Sequence, residues 1–143
     1  MPQFRGVFFS IHTVHMQLQN TPNEPGLNLF TQYGEGYVAI GQQRYDQTLI
    51  VAPKLIETCW TTHAAATLDA EDFAYLAEKI RVFGADVALL GTGAKQHFPA
   101  APALLAPLLA QGISLEIMNT PAACRTYNLL AAEGRKVLVA LLV

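Results

Sequence analysis

Charged side chains are scarce in this sequence. Only 14% of its 143 residues are Asp, Glu, Lys or Arg, and the formal net charge is −2. Proteins that bind nucleic acid generally carry clustered Lys and Arg, so the composition argues against that class. Disorder is also excluded, because hydrophobic residues make up 52% of the sequence and can form a buried core.

Long apolar runs and cysteines are scarce as well. No run approaches the roughly 20 apolar residues that a membrane-spanning helix needs, and Val137 to Val143 is predicted to be a final buried strand. Two cysteines, Cys59 and Cys124, cannot make a disulfide scaffold or a four-cysteine zinc site. We expect both thiols to be buried small hydrophobic groups, and the compartment to be reducing and cytoplasmic.

Motifs for cofactors and catalysis are missing too. The spaced glycines of a dinucleotide-binding loop are absent, so a nicotinamide or flavin cofactor is not expected. The histidines are His12, His15, His63 and His97. None of them forms a strong metal-binding motif with a neighbouring ligand residue. Asp69, Glu71 and Asp72 crowd the first turn of a predicted helix, where the helix dipole favours acids. We therefore predict no catalytic residues, no metal and no cofactor.

The most informative stretch runs from Met118 to Arg135. Thr120 is a good helix N-cap, since its hydroxyl can accept a hydrogen bond from a free backbone N–H of the first turn. Pro121 suits the first helical position, and Gly134 suits the left-handed residue that ends a helix. The sequence therefore predicts a helix from about Pro121 to Glu133.

Two polar residues, Arg125 and Asn128, interrupt this otherwise apolar helix. A mostly apolar helix is mostly buried, and an unpaired buried charge is costly, so both side chains need partners. One interpretation is that Arg125 binds a carboxylate or backbone carbonyls of its own protein while Asn128 ties a loop. The other is that Arg125 faces a carboxylate of a ligand or partner, which its planar guanidinium could bind through two parallel hydrogen bonds.

Four short segments together resemble a known family. They are Leu89-Leu90-Gly91-Thr92-Gly93, Met118-Asn119-Thr120, Ala122 to Asn128, and Glu133-Gly134-Arg135. The family is of unknown function and is related to mitochondrial complex I assembly factor 3 and to an adipogenesis-associated animal protein. The resemblance runs from about Leu27 to the C-terminus and departs at Asn119, where bacterial relatives are expected to carry Asp. It implies a fold more directly than a function.

Residues 1–26 are predicted to be an N-terminal extension and loop. Residues 1–15 are too short and too little charged for a good secretory signal, and Met16 would suit the resemblance as a start. Thr21 to Gly26 holds two prolines and a glycine, which is typical of a loop. Residues 27–143 are then expected to form a single domain.

The rest of the chain alternates between strand and helix patterns. The predicted strands of an antiparallel meander are Asn28–Tyr33, Tyr37–Ile40, Gln43–Val51 and Leu55–Thr61. A helix is predicted over Ala70–Phe83, capped by Asp69 and ended by Gly84. A second helical segment, Pro102–Gln111, is interrupted by Pro107. The remaining predicted strands are Asp86–Leu90, Ser114–Met118 and Lys136–Leu142.

This order predicts an α/β fold: a single three-layer domain with a mixed, mostly parallel central sheet flanked by helices, plus an N-terminal antiparallel β meander. The family resemblance implies that one strand of the central sheet is antiparallel to the rest.

The candidate site lies in two loops that follow strands predicted to be adjacent. Ligands of open α/β sheets bind outside the carboxyl ends of the strands. Backbone N–H groups of the Gly-Thr-Gly turn could face an anion, with the positive end of the following helix beside them; alternatively the turn is only a tight turn. The candidate binding residues are Gly91, Thr92, Gly93, Thr120, Arg125 and Asn128, with Lys95 and His97 on the rim.

Two functions from different classes remain open. The first is a non-catalytic binding or assembly module with a protein partner or a second copy of itself; the resemblance implies a role near respiratory complex I. The alternative is a protein that binds a small anion or carboxylate, or an enzyme, using the Gly91–Gly93 and Thr120–Asn128 loops. Neither hypothesis involves nucleic acid or a membrane span.

Overall fold

Strands precede helices in the first half of the fold and alternate with them in the second. The computed structural model describes residues 16–17, 26–99 and 101–143. The strands are β1 (Met16–Gln17), β2 (Phe30–Gly34), β3 (Tyr37–Ile40), β4 (Gln43–Tyr45), β5 (Leu49–Ala52), β6 (Leu55–Thr58), β7 (Val87–Thr92), β8 (Leu115–Met118) and β9 (Val137–Leu142). The α-helices are α1 (Ala70–Phe83), α2 (Ala106–Leu109) and α3 (Thr120–Ala132).

The central sheet has five strands in the order β6-β5-β9-β7-β8. β9, β7 and β8 pair in parallel, β5 pairs antiparallel with β9, and β6 pairs antiparallel with β5. β5 therefore runs against the other four strands, which confirms the mixed sheet and the single antiparallel strand implied by the resemblance. Every residue of β5 and β9 is buried, as expected for strands covered on both faces.

The predicted N-terminal meander is divided between two sheets. β1 to β4 form a separate antiparallel sheet in chain order, and Met16–Gln17 of the predicted extension belong to it. β5 and β6, predicted to continue the meander, instead form a hairpin in the central sheet. The reason is burial: Leu49–Ala52 is apolar towards both faces, whereas Gln43 and Arg44 of β4 are exposed. The rest of the predicted extension, residues 1–15 and 18–25, lies outside the described residues, and the predicted domain boundary at residue 27 stays a prediction.

Two apolar clusters occupy opposite faces of the central sheet. One joins the sheet to α3 and to β2 and β3, and contains an edge-to-face pair of Phe30 and Tyr127 with ring centroids 5.3 Å apart. The other joins the sheet to α1 and α2 through buried side chains such as Phe73 and Leu108. In the part of the chain that the structure describes, none of the helices is long and apolar enough to cross a bilayer.

The predicted limits of α1 are confirmed at both ends. Asp69 accepts a hydrogen bond from the backbone N–H of Asp72 at 3.0 Å, and Gly84 ends the helix in the left-handed region with φ of 76°. The predicted segment Pro102–Gln111 is instead a 3-10 turn, Pro102–Leu105, followed by the short α2. Pro107 therefore marks a second start, because it lies in the first turn of α2, where its missing N–H is not needed.

The prediction that both cysteines are buried is wrong for Cys59. β6 ends at Thr58, and Cys59 is exposed with a left-handed φ of 56°. This turn brings Trp60 inward, where its indole N–H donates to the Leu141 carbonyl at 3.2 Å. Cys124 is buried as predicted, and burial raises the pKa of its thiol to about 12.

Asn128 joins α3 to β2 through both ends of its amide. Its Oδ1 accepts from the Phe30 N–H at 2.8 Å, and its Nδ2 donates to the Phe30 carbonyl at 2.8 Å. The neighbouring Tyr127 hydroxyl donates to the Asn28 carbonyl at 2.8 Å. Phe30 is fully buried, so water cannot replace these partners. Asn128 therefore finds its partners within the protein, on a strand rather than on a loop.

We expect Asn128→Ala to lower the free energy of unfolding by about 2–4 kcal/mol, because it leaves a buried N–H and a buried carbonyl of Phe30 unpaired. Urea unfolding measures the change. The matched control is Leu129→Ala on the same helix, where the side chain is 62% exposed, and we expect a change within about 0.5 kcal/mol. Equal stability of the two variants would contradict this account of Asn128.

Candidate functional site

Thr120 joins the two loops that were predicted to form the site. Its Oγ1 accepts from the Gly93 N–H at 2.8 Å and donates to the Leu142 carbonyl at 2.7 Å. Its own N–H donates to the Gly93 carbonyl at 2.8 Å. The predicted adjacency of the two loops is therefore confirmed, and the three contacts tie the start of α3 to the carboxyl ends of β7 and β9.

Thr92 holds the loop after β7 in the same way. Its hydroxyl lies 2.6 Å from the Lys95 carbonyl and 3.2 Å from the Met118 carbonyl. It also accepts from the His97 N–H at 3.1 Å. Thr92 is buried, so its polar atoms serve the loop and not an open surface.

The N-cap of α3 is Asn119, which corrects the prediction of Thr120. Asn119 Oδ1 accepts from the Ala122 N–H at 2.8 Å, and the helix begins at Thr120 with Pro121 second. The physical reason is that the Thr120 hydroxyl is already bonded to Gly93 and Leu142.

Backbone donors of the predicted anion nest are engaged within the protein. The N–H of Gly93 bonds to Thr120 Oγ1, the N–H of Thr120 to Gly93 O, and the N–H groups of Ala122 and Ala123 to Asn119. An anion at this helix end would have to displace these bonds. The nest geometry expected from the two glycines therefore does not supply open donors at Gly93 or in the first turn of α3.

Gly91 is required by close packing. A Cβ at this position would lie 2.6 Å from Leu141 Cδ2, 3.0 Å from Thr120 Oγ1 and 3.1 Å from Ala123 Cβ. A real Cβ does not tolerate such distances, so β7 could not approach α3 this closely with any other residue. Gly91 is buried and does not face an open surface.

A cleft of about 350 Å³ lies beside these loops. Its lining residues come from four segments: Tyr33, Gly34, Glu35 and Gly36; Gly93 and Ala94; Thr120 and Pro121; and Val143. Of the predicted site residues, only Gly93 and Thr120 are among them. Sequence reasoning identified the Gly34-Glu35-Gly36 turn only as a hairpin, because its position opposite α3 depends on contacts distant in sequence.

Arg125 is exposed, although it lies on a helix that was predicted to be mostly buried. Its Nη1 donates to the Tyr33 hydroxyl at 2.7 Å, and its guanidinium carbon lies 5.9 Å from the centroid of that ring. Pro121 and Arg125 are one helical turn apart and share a face of α3. Tyr33 and Pro121 both line the cleft, and Arg125 itself does not. Arg125 lies next to these two lining residues, and we call this position the rim of the cleft. The part of these residues in ligand or partner binding stays a prediction.

A second polar cluster surrounds the start of α1. His63 Nδ1 lies 2.7 Å from Asp72 Oδ2, which also accepts from the Asp69 N–H at 3.0 Å. Thr61 Oγ1 donates to Asp72 Oδ1 at 2.8 Å. Ligand atoms of His63, Asp69 and Asp72 lie within 4.8 Å of one another, close enough to meet a metal ion. The bonds already made by Asp72 account for the cluster as a reciprocal helix cap.

The hydrogen bond to Asp72 raises the pKa of His63 above 6.5, with the nearby acidic charges acting in the same direction. Burial acts to raise the pKa of Asp72, but the hydrogen bonds from the Asp69 N–H, His63 and Thr61 outweigh it and lower the pKa below 3.8. Each partner therefore favours the charged form of the other.

Relatives share both the sequence pattern and the fold. A family described as "Protein of unknown function (DUF498/DUF598)" matches residues 30–142. The zebrafish (Danio rerio) protein NADH dehydrogenase (ubiquinone) 1 alpha subcomplex assembly factor 3 is 26% identical over 117 residues, which cover 82% of this chain and 64% of that protein. The chain thus spans less than two thirds of the length of this relative.

Solved bacterial structures are similar over most of the chain. A Bordetella parapertussis crystal structure is 39% identical, with a TM-score of 0.72, over 85% of this chain and 98% of that one. A Bordetella pertussis protein described as a Mth938-like domain is 36% identical, with a TM-score of 0.67, over 89% and 92%. A Bartonella henselae protein described as an outer membrane protein is 28% identical, with a TM-score of 0.68, over 83% and 97%.

We expect Thr120→Val to lower the free energy of unfolding by about 2–4 kcal/mol, because the Gly93 N–H and the Leu142 carbonyl lose their buried partner. Thr120→Ser keeps the hydroxyl and is the matched control. Thermal and urea unfolding of both variants measure the difference. If valine is tolerated as well as serine, the hydroxyl does not hold the loops together.

We expect the contribution of the His63–Asp72 pair to the free energy of unfolding to be greatest between pH values of about 4 and 6.5. The raised pKa of His63 gives a contribution that is complete below 6.5 and is lost as pH rises through the folded-state pKa. The lowered pKa of Asp72 gives a contribution that is complete above 3.8 and is lost as pH falls through its folded-state pKa.

Urea midpoints measured from acidic to alkaline pH check this profile. His63→Gln should remove the loss of stability on the alkaline side, whereas the control His97→Gln, at an exposed histidine, should keep it. The same alkaline loss in both variants would show that the pair does not cause it.

Proposed function

We propose that this chain, which belongs to the DUF498/DUF598 family of proteins of unknown function, is a non-catalytic binding or assembly module that receives a partner protein at the cleft beside α3. The observation that carries the proposal is the construction of the cleft. Chain segments distant in sequence line it, and buried hydrogen bonds of Thr120 fix two of them. A surface fixed in this way binds a partner without losing much conformational freedom.

The zebrafish relative supports a protein partner, because it is named as an assembly factor of an NADH dehydrogenase. We extend that role to this chain as a proposal: it assists the assembly of a respiratory NADH dehydrogenase, or it binds a second copy of itself. Identity of 26% over 64% of the relative supports the shared fold more strongly than a shared partner.

The proposal assumes the three-layer arrangement predicted from the sequence. The two apolar clusters on opposite faces of the central sheet support it. With both faces covered, a partner has to use loops, sheet edges or outer helix surfaces. We also keep the cytoplasmic location as a proposal, supported by the exposed free thiol of Cys59, which a reducing compartment preserves. Cell fractionation tests the location directly.

A second candidate function is favoured by Arg125. Its exposed guanidinium bonds to the neutral Tyr33 hydroxyl at the rim of the cleft and could receive a small carboxylate. This alternative differs from the first in requiring that a free carboxylate bind as tightly as a peptide that carries one.

Site-specific photo-crosslinking in the native host tests the proposal. A photoreactive amino acid in place of Glu35, which is exposed on the cleft, should give a discrete covalent adduct with a partner or a second copy. The same amino acid in place of Val82, which is 68% exposed on α1, is the matched control and should not give it.

Mass spectrometry of the adduct and light scattering of the purified chain separate a foreign partner from self-association. Absence of an adduct from position 35, or the same adducts from both positions, would contradict partner binding at the cleft.

A further inference from the structure

We infer that the partner segment bound in the cleft carries a single carboxylate side chain beside an apolar residue, and that Arg125 receives the carboxylate. The inference rests on the proposed function and specifies the chemistry of the partner.

Arg125 has an unbalanced charge. A guanidinium carries five N–H donors, and Arg125 uses one of them in its hydrogen bond to the neutral Tyr33 hydroxyl. Among residues 16–17, 26–99 and 101–143, no carboxylate lies within ion-pair distance of it. Arg81 on α1 shows the contrasting case, since it forms an ion pair with Glu78.

Tyr33 holds the guanidinium in place. The tyrosine is 8% exposed, belongs to the apolar cluster under α3 and lines the cleft. The bond to its hydroxyl and the ring 5.9 Å away restrict the motion of Arg125 before any ligand arrives. A positioned arginine binds a planar carboxylate with less loss of side-chain entropy than a mobile one.

The cleft beside this cation is small and partly apolar. Tyr33, Pro121 and Val143 supply apolar atoms, while Gly34 and Gly36 add no side chains that would narrow the cleft. A volume of about 350 Å³ lies near the lower end of ligand pockets and suits a short segment.

Glu35 limits the charge of the segment. It lies on the β2–β3 turn at the cleft and is exposed. A second carboxylate next to Glu35 would be repelled, whereas one at Arg125 is attracted. The cleft therefore selects one acidic residue with apolar neighbours and disfavours a run of acids.

Peptide selection on the folded 143-residue chain tests the inference without knowledge of the natural partner. A random heptapeptide library displayed on phage is selected separately on the wild type, on R125Q and on the control variant R81Q. We expect Asp or Glu to be enriched at one position next to an apolar residue on the wild type and R81Q, and this enrichment to be lost on R125Q.

The affinities of a selected peptide for the wild type and the variants measure how much the pairing of its acid with Arg125 contributes to binding. Replacing its acid by the matching amide should weaken binding to the wild type about tenfold, as expected for one charge-assisted pair, and should leave binding to R125Q unchanged. R125K keeps the charge without the planar fork and should show an intermediate preference. Circular dichroism of each variant confirms that the fold is retained.

Several results would overturn the inference: no enriched peptide on the wild type, enrichment without an acid, or the same acid preference on R125Q. If free glutamate competes as well as the peptide, the carboxylate need not belong to a polypeptide, and the small-carboxylate alternative is supported. A crosslink from position 35 without acid preference removes only this inference, whereas absence of the crosslink removes the proposed function.

Discussion

The buried hydroxyl of Thr120 is the contact on which the candidate site depends. It accepts from Gly93 and donates to Leu142, so one side chain satisfies a loop and the end of a strand at the same time. Gly91 makes the contact possible, because a side chain at that position would collide with Thr120 and Leu141. The two glycines of the Gly-Thr-Gly turn thus have different roles: Gly91 gives space, and the Gly93 N–H gives a hydrogen bond to Thr120.

This arrangement separates groups that stabilise the fold from groups that remain available for binding. Close packing accounts for Gly91, and internal hydrogen bonds account for Thr92 and Asn128, so none of the three requires a ligand. Arg125 differs, since its charge is exposed and the Tyr33 hydroxyl to which it donates is neutral. The separation explains why a signature rich in glycine, threonine and asparagine specifies a fold more directly than an activity.

The comparison with relatives also separates what concerns the fold from what concerns binding. Bacterial structures between 28% and 39% identical share the fold over most of this chain. A fold can host different functions, so the name of the zebrafish assembly factor provides a hypothesis about the partner and not its identity. The chemistry of the cleft provides an independent hypothesis, because it depends only on residues of this chain.

Local signals in the sequence determined the elements, and long-range contacts decided how they meet. Asp69 and Gly84 fixed α1, and Gly134 fixed the end of α3, because capping involves residues within a few positions of one another. The adjacency of the loops after β7 and β8 also followed, since parallel strands joined by a crossover helix end at the same edge of a sheet.

Tertiary structure decided the rest: the transfer of β5 and β6 to the central sheet, the capping of α3 by Asn119, and the exposure of Arg125. Each depends on which distant group satisfies a given hydrogen bond or covers a given face. The β2–β3 turn reaches the cleft because Asn128 binds Phe30, a contact between residues 98 positions apart that no local pattern encodes.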